Sequence, residues 1–425
     1  MPAGAFAQGT ARLSCVTDFE RSTLVALLRR STRRDEEQAR STSWYASLTR
    51  FYIVAVLLLA GGAFGGWLFA THDLARALDV VAAVLIVTCP CAFGISTPLA
   101  YELAQAGLRR AGLFVRTPAF LDRAAAVDAV VFDKTGTLTT GRLVVIAPDA
   151  LRSLPARERA CLHGMAVRSS HPKSRAIAEV LADERLMVTA DVHEIAGKGM
   201  ELRDEGTIYR LGARTWAAPT AGSDGDVVFA RDGHVLRSIA TEEQLRGDAA
   251  VEVAALQREG HSTYLLTGDD CTAAQAIAAA CGIPPSRVEA ACSPEGKAAW
   301  LRAHAMDRAL FVGDGINDSL VAEAAWCSGT PAIDRPFMAA RCDFYFVTPG
   351  LRPIREALRC ARKLQRVVRQ NLALALAYNA VTVSLALAGR MTPLLCAVLM
   401  PLSSLSTVVF VTARLSARRS HRWMS

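Results

Sequence analysis

Four apolar stretches of roughly 20 residues constrain this chain most, because that length crosses the hydrocarbon core of a bilayer. They run about Phe51–Ala70, Leu78–Ala100, Leu372–Gly389 and Pro393–Ala413, and they pair into two hairpins. The hairpin connectors are nearly free of charge: Asp73 and Arg76 in one, Arg390 in the other. The opposite flanks are basic. Arg29, Arg30, Arg33 and Arg34 precede the first span, and Arg109 and Arg110 follow the second. Arg362, Lys363, Arg366 and Arg369 precede the third, and Arg414, Arg418, Arg419 and Arg422 follow the fourth. Positive-inside counting then predicts a multi-pass protein of the cell (inner) membrane, with both termini and the middle region cytoplasmic. The net charge of +8 is accounted for by these flanks, so no nucleic-acid partner is expected, and membrane lipid is. The 11 cysteines are scattered and odd in number, which favours a reduced face over a disulfide framework. Met1 to Arg50 holds many arginines and no apolar core, so no secretory signal is expected.

Between the hairpins lie about 270 residues of ordinary globular pattern. Short apolar runs at Ala129–Phe132, Tyr264–Leu266 and Ala309–Val312 alternate with helical patterns at Asp248–Arg258, Ala273–Ala280 and Glu295–His304. That rhythm predicts a doubly wound, mostly parallel α/β sheet. The stretch from about Gly141 to Gly233 breaks it and reads as an inserted α+β module.

Each of the three strands leads to a carboxylate: Asp133, Asp269 and Asp314. Ligands of open parallel sheets bind beyond the carboxyl ends of the strands. Acidic groups meeting there repel one another unless a cation sits among them, and Mg2+ with phosphate oxygens is the natural guest. Lys297, after Ser293-Pro294-Glu295-Gly296, can balance charge on a phosphoryl group. It is one of only five lysines among 48 basic residues.

Asp133-Lys134-Thr135-Gly136-Thr137-Leu138-Thr139 resembles the phosphorylation motif of P-type ATPases, whose catalytic domain is haloacid-dehalogenase-like. Gly313-Asp314-Gly315-Ile316-Asn317-Asp318 is similar to that family's hinge motif, and Thr267-Gly268-Asp269 to a third. The resemblance implies that Asp133 attacks the γ-phosphate of ATP, with Asp314, Asp318 and Lys297 placing Mg2+ and stabilising the transition state. Related phosphatases carry a second Asp two positions after the nucleophile. Here that position is Thr135, a poor base, so the aspartyl phosphate is expected to persist.

Ser169-Ser170-His171-Pro172 and Gly197-Lys198-Gly199 resemble nucleotide-binding signatures of the heavy-metal branch. The likeness implies that His171 and Pro172 lie near adenine and that Gly197 and Gly199 line the pocket. Ser170 replaces the family's usual Glu, which removes one contact to the base. Cys89-Pro90-Cys91 sits inside the second span, where Pro90 breaks the helix and soft thiolates favour Cu+, zinc or similar metals. It resembles the family's transport site. In the last two spans Tyr378-Asn379 and Met400-Pro401-Leu402-Ser403-Ser404 resemble the monovalent-copper pumps. Met400, Ser403 and Ser404 share one helical face. A thioether suits Cu+ better than Zn2+. Gly329-Thr330-Pro331-Ala332, and the lack of Ala-Pro-Ala after Asp318, resemble pumps that supply copper for cytochrome oxidase assembly.

The resulting expectation assigns 1–45 to an actuator-domain remnant and linker, and 46–100 to the hairpin carrying Cys-Pro-Cys. Residues 101–140 and 234–362 form the phosphorylation domain, 141–233 the nucleotide-binding domain, 363–416 the second hairpin and 417–425 a basic tail. The family has about eight spans and a Thr-Gly-Glu loop whose Glu activates water. Four spans and no Thr-Gly-Glu occur in these 425 residues, and no amino-terminal Cys-x-x-Cys domain does. An amino-terminal truncation is therefore expected, through a misplaced coding start, a shortened gene or a second chain that supplies the actuator domain and further spans. The leading reading is the carboxyl-terminal part of an ATP-driven Cu+ pump, with a copper chaperone or copper-receiving protein as its partner. Two alternatives stay open: a remnant that binds copper without turnover, and a transporter of another soft or divalent metal. A membrane-anchored phosphatase is disfavoured by Thr135.

Overall fold

The computed structural model describes residues 32–88, 91–117, 119–184, 191–219, 227–304, 306–314, 318–332 and 342–416. They divide into two compact units, one of residues 1–134 and 248–425 and one of residues 135–247.

In the first unit, helices α1 (Thr32–Thr71), α2 (Leu74–Val87) and α3 (Cys91–Arg110) precede the catalytic sheet. Three described helical segments have the length and composition to cross a membrane: Phe51–Thr71 within α1, α9 (Arg352–Leu387) and α10 (Pro393–Leu415). The second apolar stretch of the sequence is not one helix. Its first half is α2, capped by Asp73, whose Oδ1 accepts from the Ala75 and Arg76 N–H groups. Its second half is the start of α3, which runs on to the basic pair Arg109 and Arg110. Pro90, between the halves, can donate no helical N–H. Phe51, Leu58, Leu394 and Leu402 point outward from their helices and are more than half exposed. Such surfaces suit lipid rather than water.

The catalytic part is a seven-stranded sheet. Its strands are β1 (Leu113–Val115), β2 (Ala129–Asp133), β3 (Ser262–Leu266), β4 (Val288–Glu289), β5 (Ala309–Val312), β6 (Cys327–Pro331) and β7 (Phe344–Phe346). The order is β1-β7-β6-β5-β2-β3-β4, and only the β1–β7 pair is antiparallel. β2 and β5 are buried at every residue, as strands covered on both faces must be, and so read as unbroken apolar runs. α5 (Ala249–Arg258), α6 (Cys271–Cys281), α7 (Pro294–Ala303) and α8 (Ser319–Ala324) connect them, with α4 (Ala119–Ala124) before β2. After β2 the chain continues to β3 and β4 on one side and then to β5 on the other. The carboxyl end of β2 is thus the topological switch point.

The second unit holds a five-stranded antiparallel meander: Asp191–Ile195, Gly199–Asp204, Thr207–Gly212, Val227–Arg231 and His234–Ile239. Helices Ala156–Val167 and Pro172–Val180 contribute Leu162, Met165 and Ile177 to a core shared with Leu202, Leu211 and Phe229. Strands Thr139–Val145 and Thr241–Leu245 pair antiparallel at its two ends; the first straddles the start of the 141–233 module read from the sequence and the second lies beyond its end. Residues 1–31 of the expected remnant, the 417–425 tail, Cys89 and Pro90, and Gly315, Ile316 and Asn317 of the hinge motif lie outside the described residues.

Candidate active site and ion path

Asp133 closes β2 and is buried. Lys297 reaches it from the first turn of α7, which Ser293 caps by accepting the Gly296 N–H at 3.0 Å. Lys297 Nζ lies 2.5 Å from Asp133 Oδ1 and 2.9 Å from Asp318 Oδ1. Gly313 ends β5 tightly: a Cβ there would meet Asp318 Oδ2 at 2.7 Å and the Phe311 ring at the same distance. That close approach brings oxygens of Asp133, Asp314 and Asp318 within 4.8 Å of one another, the one such cluster among the described residues. Burial pushes the Asp133 carboxyl up to about 7, the charges of Asp318 and Asp314 add to that, and Lys297 opposes it. Burial works against the Lys297 charge, yet Asp133 and Asp318 hold its pKa above the ordinary lysine value. The cluster thus carries more negative charge than its single lysine balances. Hard oxygens at this spacing suit a Mg2+ ion.

Asp269 does not join this cluster. It pairs with the buried Lys134, next to the nucleophile. Thr267 Oγ1 accepts the Asp269 N–H at 3.2 Å, and the Thr267 carbonyl accepts the Cys292 N–H at 3.0 Å. These bonds fix the exposed Gly268 turn at the end of β3.

In the second unit, Thr135 donates to Glu243 Oε1 at 3.2 Å, and Thr139 to Glu243 Oε2 at 2.6 Å. Arg246 donates to the carbonyls of Thr137 at 2.7 Å and Gly136 at 2.6 Å. Glu243 and Arg246 therefore hold the loop that begins at Thr135. No motif announced them; the only signal was a carboxylate and a guanidinium three residues apart, re-entering from the insertion. His171 is exposed and caps the helix begun by Pro172, its Nδ1 accepting the Lys173 N–H at 3.2 Å. Gly197 adopts φ +74° with open space around it. Gly199 has a structural cause of its own: a Cβ would lie 2.1 Å from the Leu211 carbonyl of the antiparallel neighbouring strand.

In the membrane helices, Cys91 opens α3. The Tyr378 hydroxyl donates to the Leu399 carbonyl at 3.1 Å, joining α9 to α10 one residue before Met400. Ser404 donates to the Met400 carbonyl at 3.2 Å. Met400, Ser403, Ser404, Tyr378 and Asn379 are all half-buried. A polar contact the sequence did not flag joins α3 to α9: Asn371 Nδ2 donates to Ser96 Oγ at 2.7 Å, both residues buried.

Residues 127–325 match the haloacid dehalogenase-like hydrolase family. The chain is 36% identical over 369 residues to the nitrogen fixation protein FixI of Rhizobium meliloti (strain 1021), covering 86% of this chain and 48% of that one. It is 33% identical over 380 residues to a copper-exporting P-type ATPase of Mycobacterium tuberculosis (strain ATCC 25618 / H37Rv), covering 85% and 49%. A crystal structure of a zinc-transporting PIB-type ATPase in the E2.Pi state superposes with a TM-score of 0.76 at 25% identity, over 94% of this chain and 68% of that one. Over most of its own length the chain is similar to heavy-metal P-type ATPases. It spans about half the length of the curated relatives it matches. A heavy-metal P-type ATPase joins a haloacid dehalogenase-like domain to membrane helices, which is the architecture of the first unit here.

Proposed function

We propose that this chain carries the phosphorylating, nucleotide-binding and ion-ligating parts of an ATP-driven Cu+ pump that works through an aspartyl phosphate at Asp133. The observation that carries it is the cluster of Asp133, Asp314, Asp318 and Lys297 at the switch point of the sheet. Asp133 would attack the γ-phosphorus of ATP. One carboxylate oxygen forms the new P–O bond while the bond to the bridging oxygen breaks, and ADP leaves with that electron pair. Asp133, Asp314 and Asp318 would hold Mg2+, which neutralises phosphate charge when bound. Lys297 then moves its charge from the Asp133 carboxylate towards the transferring group. Lys134, held by Asp269, places a second cation beside the nucleophile. Thr135 offers no general base, and its hydroxyl is already engaged by Glu243, so the acyl phosphate outlives its formation.

His171, Pro172, Gly197 and Gly199 of the second unit would receive the adenine end of ATP. Cys89 and Cys91, with Met400, would ligate the ion, and Tyr378, Asn379, Ser403 and Ser404 would line its path. The soft donors, with no carboxylate or lysine in the last two apolar stretches, favour Cu+ over Zn2+. The basic flanks support a cytoplasmic position for the catalytic units at the inner membrane. A copper-receiving protein, such as one of cytochrome oxidase assembly, is the proposed partner, along with a chain or segment that supplies an actuator domain.

Incubation with γ-labelled ATP and Mg2+ should give an acid-stable, hydroxylamine-labile label. Its persistence in Asp133→Asn would end the phosphorylation reading. Tighter binding of Zn2+ than of Cu+ at Cys89 and Cys91 would move the protein to the other ion class.

A further inference from the structure

The last hairpin carries sulfur at Met391, Cys396 and Met400. Only Met400 belongs to the ion path described above. Met391 lies in the connector before α10 and is 6% exposed; Cys396, one turn into α10, is fully buried. Both belong to one cluster with Val80, Val84 and Val87 of α2 and Ala386 of α9. That face of α2 ends at Thr88, the residue before Cys89 in the sequence. Trp67 marks the other end of the cluster: its indole N–H donates to the Leu387 carbonyl at 2.9 Å, and its ring crowds Gly389. The two sulfurs therefore lie at the connector end of the last hairpin, on the side away from the catalytic sheet. Cys396 and Met400, four residues apart, share a face of α10 and stand about 6 Å apart along its axis.

We propose that Cys396 and Met391 form a second soft-metal site, a release station that takes the monovalent ion on from Cys89, Cys91 and Met400. The inference rests on the Cu+ reading above. One thiolate and one thioether suit the low coordination of Cu+ and fall short of the four ligands of Zn2+. Charge conservation points the same way. When the Cys396 thiol binds the ion it releases one proton towards the connector side, while Met391 donates a lone pair and loses none. One monovalent cation replaces one proton, so the charge of this apolar cluster does not change. A divalent ion would leave a net positive charge buried among valines and alanines, at a large desolvation cost. Plain packing would treat both residues as space-filling apolar groups, and the two roles separate by experiment.

The full chain in detergent micelles is titrated with Cu+ buffered by a competing chelator, as wild type, C396A, M391L and C89S/C91S. M391L keeps an apolar side chain of similar volume, so its fold is retained. The expected result is a weaker second equivalent of Cu+ in wild type that is lost in C396A and loosened roughly tenfold in M391L. In C89S/C91S the tighter equivalent disappears and the weaker one remains. Identical isotherms for wild type, C396A and M391L, with C89S/C91S weakened, overturn the release station alone. An unchanged isotherm in C89S/C91S overturns the copper reading on which it rests.

Discussion

Asp133 and Asn371 are both buried polar side chains, and they sit in opposite kinds of surroundings. Around Asp133 the donors and acceptors are ionic, and Lys297 answers two carboxylates at once. Around Asn371 there is one neutral hydrogen bond, to Ser96, and its Oδ1 has no hydrogen-bond partner among the described residues. The first site gathers excess negative charge that a cation and a phosphoryl group can use. The second keeps charge out and tolerates an unmet acceptor inside a helix pair. One chain thus builds a charged carboxylate–lysine cluster at its catalytic sheet and an uncharged polar contact between two of its apolar helices.

The strongest way to break this contrast is Asp133→Asn. Phosphorylation should fall below detection, because an amide is no nucleophile, while Cu+ binding in the membrane helices stays as in wild type. A Cu+ isotherm that shifts with this change would mean the two sites are not separable.

Lys297→Met comes next. It strips the counter-charge from Asp133 and Asp318, and the rate of labelling by ATP should drop by about 10²–10³-fold, as when one stabilising donor is removed. The variant should also melt lower than wild type without Mg2+ and gain more from its addition, since the cation then replaces the lost lysine charge. An equal Mg2+ response in both proteins would show that Lys297 does not balance the carboxylates.

Asn371→Ala is expected to act less. Loss of a buried hydrogen bond between membrane helices costs about 0.5–2 kcal/mol. Ser96→Ala on top of it should add little, because the two share one bond. Thermal unfolding in detergent reads both, and full additivity would deny the contact.

At neutral pH the smallest effect concerns His261, which accepts from Arg362 of α9 and whose contribution changes only on acidification. Burial, and then the Arg362 charge, hold its pKa down to about 4, from an ordinary value near 6.5. Below pH 6.5 the unfolded chain takes up a proton that the folded chain refuses. Stability should therefore be full above pH 6.5 and decline as pH falls towards 4. His261→Asn should flatten that decline, and an unchanged pH profile of the melting temperature would count against the assignment.

What the sequence showed depended on how local each signal was. β2, β3 and β5 were legible because each is a short apolar run ending near a motif. The break at Pro90 was legible because proline lacks a donor. Glu243 was not, since its partners Thr135 and Thr139 are about a hundred residues away and meet it only when two strands pair across the insertion. The partner of Asp269 was hidden for the same reason. Three acidic strand ends suggested one meeting point, but Lys134 draws Asp269 off and Asp318 enters instead. Gly199 was read as a pocket residue, and only its pairing with Gly212, beside the Leu211 carbonyl, shows that the fold itself demands glycine there.

The helix α9 is 36 residues long, or about 54 Å at 1.5 Å per residue, and from Ile354 to Leu387 it contains neither glycine nor proline. Its base is fastened to the catalytic sheet's helices: Arg355 pairs with Glu252 and Arg359 with Glu259, while the Leu351 and Arg352 N–H groups donate to Asp248. Kinks in helices have identifiable causes, and none of the usual residues is present here. A rotation of the sheet about this base cannot be absorbed on the way. It arrives as a sideways sweep at Tyr378, some seven turns up the same rod, so that the joint with α10 feels the catalytic end as the tip of a crowbar feels its handle.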